Sequence, residues 1–203
     1  MLSKPLSAGL LVAALAVAVV GGAASRPLQI GLSSPVNTLD PHFYSTTPNN
    51  SASFHIYERL VHRSPAGRIE PGLAMSWRPV SGTVWEFRLR PGVTWHDGRP
   101  FTARDVAFSL ERAKDVPNSL GGFANLVRPV TGIEILDPQT VRVTTAAPAP
   151  NLPSDLSFIA IVSEHVGRGA TTSDFSASMH TCAIVSTVST GYLPAAVSAD
   201  SIT

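Results

Sequence analysis

The chain has 203 residues, a formal net charge of +1 and 14% charged residues, a size and composition typical of one or two soluble domains. Its basic residues are not gathered into a cluster, which argues against nucleic acid or an anionic membrane surface as a partner. Cys182 is the single cysteine, so the fold must hold without an internal disulfide.

The first 25 residues have the layout of a secretory signal peptide. Lys4 precedes an apolar run from Leu6 to Val20, and the small residues Gly22–Ser25 offer a cleavage site. A retained membrane anchor is the alternative, but the run is short of the roughly 20 residues that a spanning helix needs. No cysteine lies directly after the run, so a lipid-modified N-terminus is not expected. Cleavage would remove Lys4 from the 15 basic residues and leave 14 of them against 14 acidic ones.

Beyond this leader, the sequence predicts a series of short elements. A strand covers Leu28–Leu32, and a helix starts at Asn50 or Ser51 and runs to about Val61. The apolar side of that helix consists of Phe54, Tyr57, Leu60 and Val61. A turn, an extended segment, a single helical turn and a strand then follow at Ser64–Gly67, Ile69–Pro71, Leu73–Ala74 and Trp77–Val80.

The plainest signals lie within Thr83–Asp115. Apolar and polar residues alternate strictly over Val84–Arg90, which predicts a half-buried strand with Trp85, Phe87 and Leu89 on its core face. Two turns and a short strand, Val93–Trp95, separate it from a helix. The helix start is predicted by a capping box of Thr102 and Asp105 and by a hydrophobic staple between Phe101 and Val106.

The rest of the chain predicts less regular structure. Phe123–Val127 is short and ambiguous between helix and strand. The strands Gly132–Leu136 and Thr140–Thr144 form a hairpin around an Asp-Pro-Gln turn, and Phe158–Val162 is predicted to be a further strand. From Ser176 onward the composition changes to mostly Ser, Thr, Ala and Val, with Asp200 as the single charged residue.

The sequence gives only weak support for a catalytic site or a metal site. A helix reaching His62 would bring His55, Glu58 and His62 onto one face as possible zinc ligands, but a solvated helix face is the favoured interpretation. His96 and Asp97 lie in a tight turn, where Asp commonly bonds its own backbone. Hydrolase, zinc-protease, redox and nucleotide-binding motifs do not occur. The chain is therefore expected not to be an enzyme and to need no metal or cofactor.

Several stretches of the sequence carry a family resemblance. LRPGVTWHDGRPFTARDVAFSLERAKD resembles a segment of the bacterial extracellular solute-binding proteins of family 5, and LDPHFYSTTPNNSASFHIYERLV and NLPSDLSFIAIVSEHV extend the likeness on either side. The resemblance implies a mixed α/β chain that forms part of a bilobed periplasmic-binding-protein type II fold, with lobe two missing. It also implies a monomeric periplasmic receptor that captures a peptide or a similar small solute for the permease of an ABC importer.

The same resemblance implies a domain division. Residues 26–36 would carry the first strand of lobe one, 37–157 an extra domain, and 158–175 the return to lobe one. The family's Gly-Thr-Gly-Pro-Tyr stretch is absent after Phe175, so 176–203 is expected to be an anomalous tail, frameshifted or disordered. The chain is then expected to be truncated. A non-functional remnant and a secreted metal-dependent enzyme remain the alternatives.

Three aromatic residues are the candidate ligand contacts. Trp77, Trp85 and Phe87 alternate within strands and are expected to pack in the core. Phe43 and Tyr44 instead lie in a loop flanked by polar residues, without a periodic reason to be buried. In the resembled family this loop faces the ligand cleft. Phe123, after two glycines, falls in a region that reaches the cleft in that family. Tyr44, Phe43 and Phe123 are therefore predicted to bind the solute.

Overall fold

The computed structural model describes residues 31–177 together with 184 and 185. Its helices are α1 (Thr47–Ile56), α2 (Ala103–Lys114), α3 (Ala124–Val127), α4 (Leu152–Leu156), α5 (Glu164–Gly167) and α6 (Thr172–Ala177). Its strands are β1 (Val61–Arg63), β2 (Ile69–Pro71), β3 (Ala74–Ser81), β4 (Val84–Leu89), β5 (Thr94–Trp95), β6 (Val130–Asp137), β7 (Thr140–Thr145) and β8 (Ile184–Val185). Within the described residues, no helix combines the length and the apolar character that crossing a membrane requires. The predicted signal peptide lies outside the described residues.

An antiparallel four-stranded sheet, in the order β3-β4-β7-β6, carries the main core on one face. The predicted alternation in β4 is confirmed, since Phe87 and Leu89 are buried and Trp85 packs against the core while Arg88 is exposed. The indole N–H of Trp85 also donates to the carbonyl of Ala149 at 3.0 Å. Alternation works here because successive side chains of a strand point to opposite faces.

The other face of the sheet carries a row of alternating charges. The register places Arg78, Glu86, Arg142 and Glu134 side by side across β3, β4, β7 and β6. Glu86 is 5% exposed, and its two carboxylate oxygens accept from Arg78 at 2.7 Å and from Arg142 at 3.0 Å. The hydrogen bond from Arg78, followed by that from Arg142, lowers the pKa of Glu86. Opposite charges that face each other across strands favour this register.

Helix α2 packs against the core, and it begins with the capping residues that the sequence predicts. The hydroxyl of Thr102 accepts from the amide of Arg104, and the carboxylate of Asp105 accepts from the amide of Thr102 at 2.9 Å. Phe101 and Val106 are both buried, in agreement with the predicted staple. The capping box is therefore confirmed.

Two predicted elements need correction, and a third lies mostly outside the described residues. Helix α1 starts earlier, at Thr47, and ends at Ile56, because Tyr57 takes an extended backbone. The predicted helical turn at Leu73–Ala74 is wrong, since Ala74 pairs with Leu89 as the first residue of β3. The predicted strand Leu28–Leu32 falls outside the described residues except for Gly31 and Leu32, which have no strand assignment.

The segment Phe158–Val162 is not a strand, although it is apolar and mostly buried. Ala160 makes an isolated bridge with Arg59, and the amide of Ile161 donates to the carbonyl of Glu58 at 2.8 Å. The amide of Val162 donates to the hydroxyl of Ser109 at 2.9 Å. These backbone hydrogen bonds are thus made to a loop and to a side chain, so the segment is not part of a strand-to-strand hydrogen-bond ladder.

The tail from 176 onward is described only in part. Strand β8 pairs antiparallel with β5, Thr94 opposite Val185 and Trp95 opposite Ile184. The rest of 178–203 lies outside the described residues. The foreign origin and the disorder expected for the tail stay predictions, as do the boundaries of the lobes.

Candidate functional site

The loop Asp40–Ser45, called here the aromatic loop, presents the two candidate rings together. Phe43 and Tyr44 are both half-buried, and their ring centroids lie 4.6 Å apart in an edge-to-face contact with an interplanar angle of 82°. Edge-to-face contact sets the positive rim of one ring against the negative face of the other. The pair therefore forms one apolar surface with part of each ring open to solvent.

The segment Ser119–Gly122 holds this loop on one side. The amide of Ser45 donates to the carbonyl of Gly121 at 2.7 Å, and the hydroxyl of Ser119 donates to the carbonyl of Phe43. A Cβ at Gly122 would lie 3.0 Å from the backbone oxygen of His42, so the close approach favours glycine there. Next to this contact, the side chain of Leu120 is 99% exposed.

A buried ion pair holds the loop on the other side. The guanidinium of Arg112 donates to both carboxylate oxygens of Asp40, at 2.9 and 2.6 Å. The side chain of Asp40 is fully buried and that of Arg112 is 9% exposed. The same carboxylate accepts from the amide of His42 at 3.0 Å, so it also shapes the turn that precedes Phe43. A bidentate contact of this kind fixes the relative orientation of the two groups as well as pairing their charges.

His42 completes the network from within the loop. Its Nδ1 lies 3.0 Å from Nη1 of Arg112, and its Nε2 lies 2.8 Å from the carbonyl oxygen of Ala160. Because arginine can only donate and a carbonyl can only accept, the ring is neutral with its proton on Nε2. Burial, followed by the charge of Arg112, lowers the pKa of His42 from 6.5 to about 4.

The network reaches a second, smaller core. The ring centroid of Phe175 lies 4.0 Å from the guanidinium carbon of Arg112, a cation–π distance. Phe175 packs in a buried cluster with Tyr57, Ala160 and Val162. Arg112 therefore joins the aromatic loop to this cluster.

Phe123 lies elsewhere in the packing. Its side chain is 2% exposed and belongs to the main core, next to α3. The structure thus brings Phe43 and Tyr44 together at the surface but leaves Phe123 without an open ring face. Its predicted contact with the solute stays a prediction, and its burial counts against it.

The alternative chemistry gains no support in the described part of the chain. Because α1 ends at Ile56, His55 and His62 do not share a helix face, and His62 instead pairs with Glu58 at 3.0 Å. Within that part, no group of three metal-ligating side chains is found. The amide of Arg99 donates to the carboxylate of Asp97 at 3.0 Å, which confirms the turn predicted around His96 and Asp97.

Comparison with known proteins yields one family. The family model described as bacterial extracellular solute-binding proteins, family 5 Middle, matches residues 68–184, more than half of the chain. The periplasmic oligopeptide-binding protein OppA of Escherichia coli K12 is 32% identical over an alignment of 134 residues that covers 58% of this chain and 24% of OppA. The glutathione-binding protein GsiB of Escherichia coli K12 is 28% identical over 143 residues, 69% of this chain and 28% of GsiB. The chain thus spans about a quarter of the length of these curated relatives.

Solved structures show the same likeness. NikZ from Campylobacter jejuni, in complex with Ni(L-His), superposes with a TM-score of 0.62 at 28% identity, covering 70% of this chain and 29% of NikZ. MoaA from A. tumefaciens R10, in complex with mannopinic acid, gives a TM-score of 0.61 at 34% identity, covering 70% of this chain and 30% of MoaA. The predicted fold class, a mixed α/β part of a periplasmic-binding-protein type II fold, is confirmed.

Proposed function

Because this chain belongs to the bacterial extracellular solute-binding proteins of family 5, we propose that it serves as the substrate-binding component of an ABC importer. The solute is a peptide or a similar small molecule, captured in the periplasm and passed to a permease in the inner membrane. Relatives named for oligopeptide, murein peptide and glutathione binding support this solute class. These relatives are binding proteins, which supports a receptor rather than an enzyme.

The observation that carries the proposal is the aromatic loop. Its two rings are packed on each other, partly exposed, and fixed by hydrogen bonds and an ion pair. A rigid apolar surface beside polar groups is how solute sites are commonly built. In the resembled family this loop faces the cleft, so Phe43 and Tyr44 are proposed to form part of one cleft wall.

The affinity of the 203-residue chain by itself is expected to be weak. An exposed aromatic contact contributes roughly 1 kcal/mol, whereas micromolar binding needs about 8 kcal/mol. A receptor that closes two walls over its solute gains the remainder by excluding water from both sides. The 203 residues on their own span about a quarter of the length of the curated relatives, and we expect them to show saturable binding with a dissociation constant weaker than about 10 µM.

Calorimetric titration of the purified chain with dipeptides, oligopeptides, glutathione and nickel chelates tests the proposal. One class should bind saturably, and Tyr44→Ala should weaken that binding about fivefold, the factor that corresponds to roughly 1 kcal/mol. Phe54→Ala, which removes a half-buried ring from α1, is the matched control and should leave it unchanged. Absence of saturable binding across the whole panel would refute the solute-binding role of this loop. A dissociation constant below about 10 µM would instead refute the expectation that these 203 residues bind weakly on their own.

A further inference from the structure

Arg112 contacts the aromatic loop and the Phe175 cluster at the same time, although these parts are far apart in the sequence. Asp40 and Arg112 are separated by 72 positions, and His42 and Ala160 by 118. All four residues meet near the C-terminal end of α2, and the charged groups of Asp40 and Arg112 are removed from water. Such a group of ionisable side chains in the interior needs a physical reason.

Stability alone does not supply that reason. The attraction within a buried ion pair is largely offset by the cost of taking both charges out of water. Apolar residues of similar volume often replace such a pair without loss of stability. What apolar residues would not reproduce is the directional bonding of the carboxylate, which accepts from Arg112 and from the amide of His42. That bonding fixes the backbone immediately before Phe43.

We propose that Arg112 is a positioning residue for the solute site. Its planar fork holds the carboxylate of Asp40 and the imidazole of His42, and these two groups fix the direction in which Phe43 and Tyr44 leave the turn. The rings are then ordered before a solute arrives, so binding does not have to order them. This inference rests on the proposed function, but the part of it that concerns structure, namely that Arg112 orders the aromatic loop, can be tested without a ligand.

If Arg112 orders the aromatic loop, the fluorine NMR resonance of a labelled Tyr44 should report it. The chain has three tyrosines, so incorporation of fluorotyrosine gives three fluorine resonances, and Tyr44→Phe identifies the one that belongs to the loop. In the wild type this resonance should be single and narrow. In Arg112→Lys, which keeps the charge but loses the fork and the planar contact with Phe175, it should broaden or split. Arg142→Lys changes an ion-paired arginine on the outer face of the sheet and should leave the Tyr44 resonance unchanged.

A double variant separates positioning from stability. Asp40→Asn with Arg112→Met removes both charges together, and its unfolding midpoint should stay near that of Arg112→Lys or above it. The Tyr44 resonance should nevertheless broaden, and affinity for the solute identified by titration should fall about tenfold, the cost of ordering two rings. An unchanged, narrow Tyr44 resonance in Arg112→Lys overturns the inference, whether or not the double variant folds. If no solute binds the wild type but the resonance still broadens, the proposed function fails and the positioning role stands.

Discussion

The buried imidazole of His42 makes the stability of the chain depend on pH in a direction that one substitution can isolate. Burial lowers the pKa of His42 to about 4 in the folded chain, against 6.5 as its ordinary value. As pH falls below 6.5, the unfolded chain therefore takes up a proton that the folded chain refuses. Above pH 6.5, His42 does not change the stability of the chain. Between pH 6.5 and about 4, the chain loses stability progressively because of this group, and below about pH 4 the loss from His42 does not increase further.

Between pH 7 and pH 5 this difference corresponds to about 2 kcal/mol of unfolding free energy, since each pKa unit is worth about 1.4 kcal/mol. Urea unfolding at pH 7, 6 and 5, followed by tryptophan fluorescence, measures it. His42→Gln cannot take up the proton and should lose about 2 kcal/mol less than the wild type over this range. His96→Gln, at an exposed histidine in the turn after β5, is the control and should follow the wild type. Equal losses in the wild type and His42→Gln would refute the assignment of a buried, neutral imidazole.

Denaturant unfolding tests three further features of the fold. Leu89→Ala should cost about 2–5 kcal/mol because Leu89 is buried in the core, and Arg88→Ala on the outer face should stay within about 0.5 kcal/mol; the reverse order would mean that the faces of β4 are exchanged. Thr102→Ala should cost about 1 kcal/mol through loss of the cap, and no cost would argue against the capping box. Gly72→Ala should cost roughly 1–3 kcal/mol because its Cβ would lie 2.5 Å from a backbone oxygen, whereas Gly82→Ala meets nothing closer than 3.9 Å and should be nearly neutral.

The predictions that agree with the structure are those whose causes lie close together in the sequence. The cap of α2 needs Thr102 and Asp105, three positions apart, and the alternation in β4 needs only a period of two. The segment Phe158–Val162 misleads because an apolar run reveals burial but not which groups accept its backbone hydrogen bonds. The burial of Phe123 could not be foreseen for a related reason, since nothing local to a loop shows whether its ring turns inward.

The residues of the candidate site were harder still to predict from the sequence. Phe43 and Tyr44 could be singled out because aromatic residues in a polar loop are unusual. Arg112 could not, because on its helix it reads as one more charged residue between the buried Leu110 and Ala113. Asp40 and His42 gave no signal either, since their meaning depends on an arginine 70 or more positions away. Long-range pairing of polar groups has no period in the sequence.

Helix α2 therefore has two roles that its sequence separates by face. Leu110 and Ala113 pack in the main core, while Arg112 points to the aromatic loop and to Phe175. A loop without regular structure normally keeps conformational freedom that a ligand must remove. Here Arg112 ties one side of the loop to the helix, while hydrogen bonds to Ser119 and Gly121 hold the other side. Differences in solute preference produced by changes at Phe43 or Tyr44 should then reflect the rings themselves, because the backbone that carries them is fixed from within the fold.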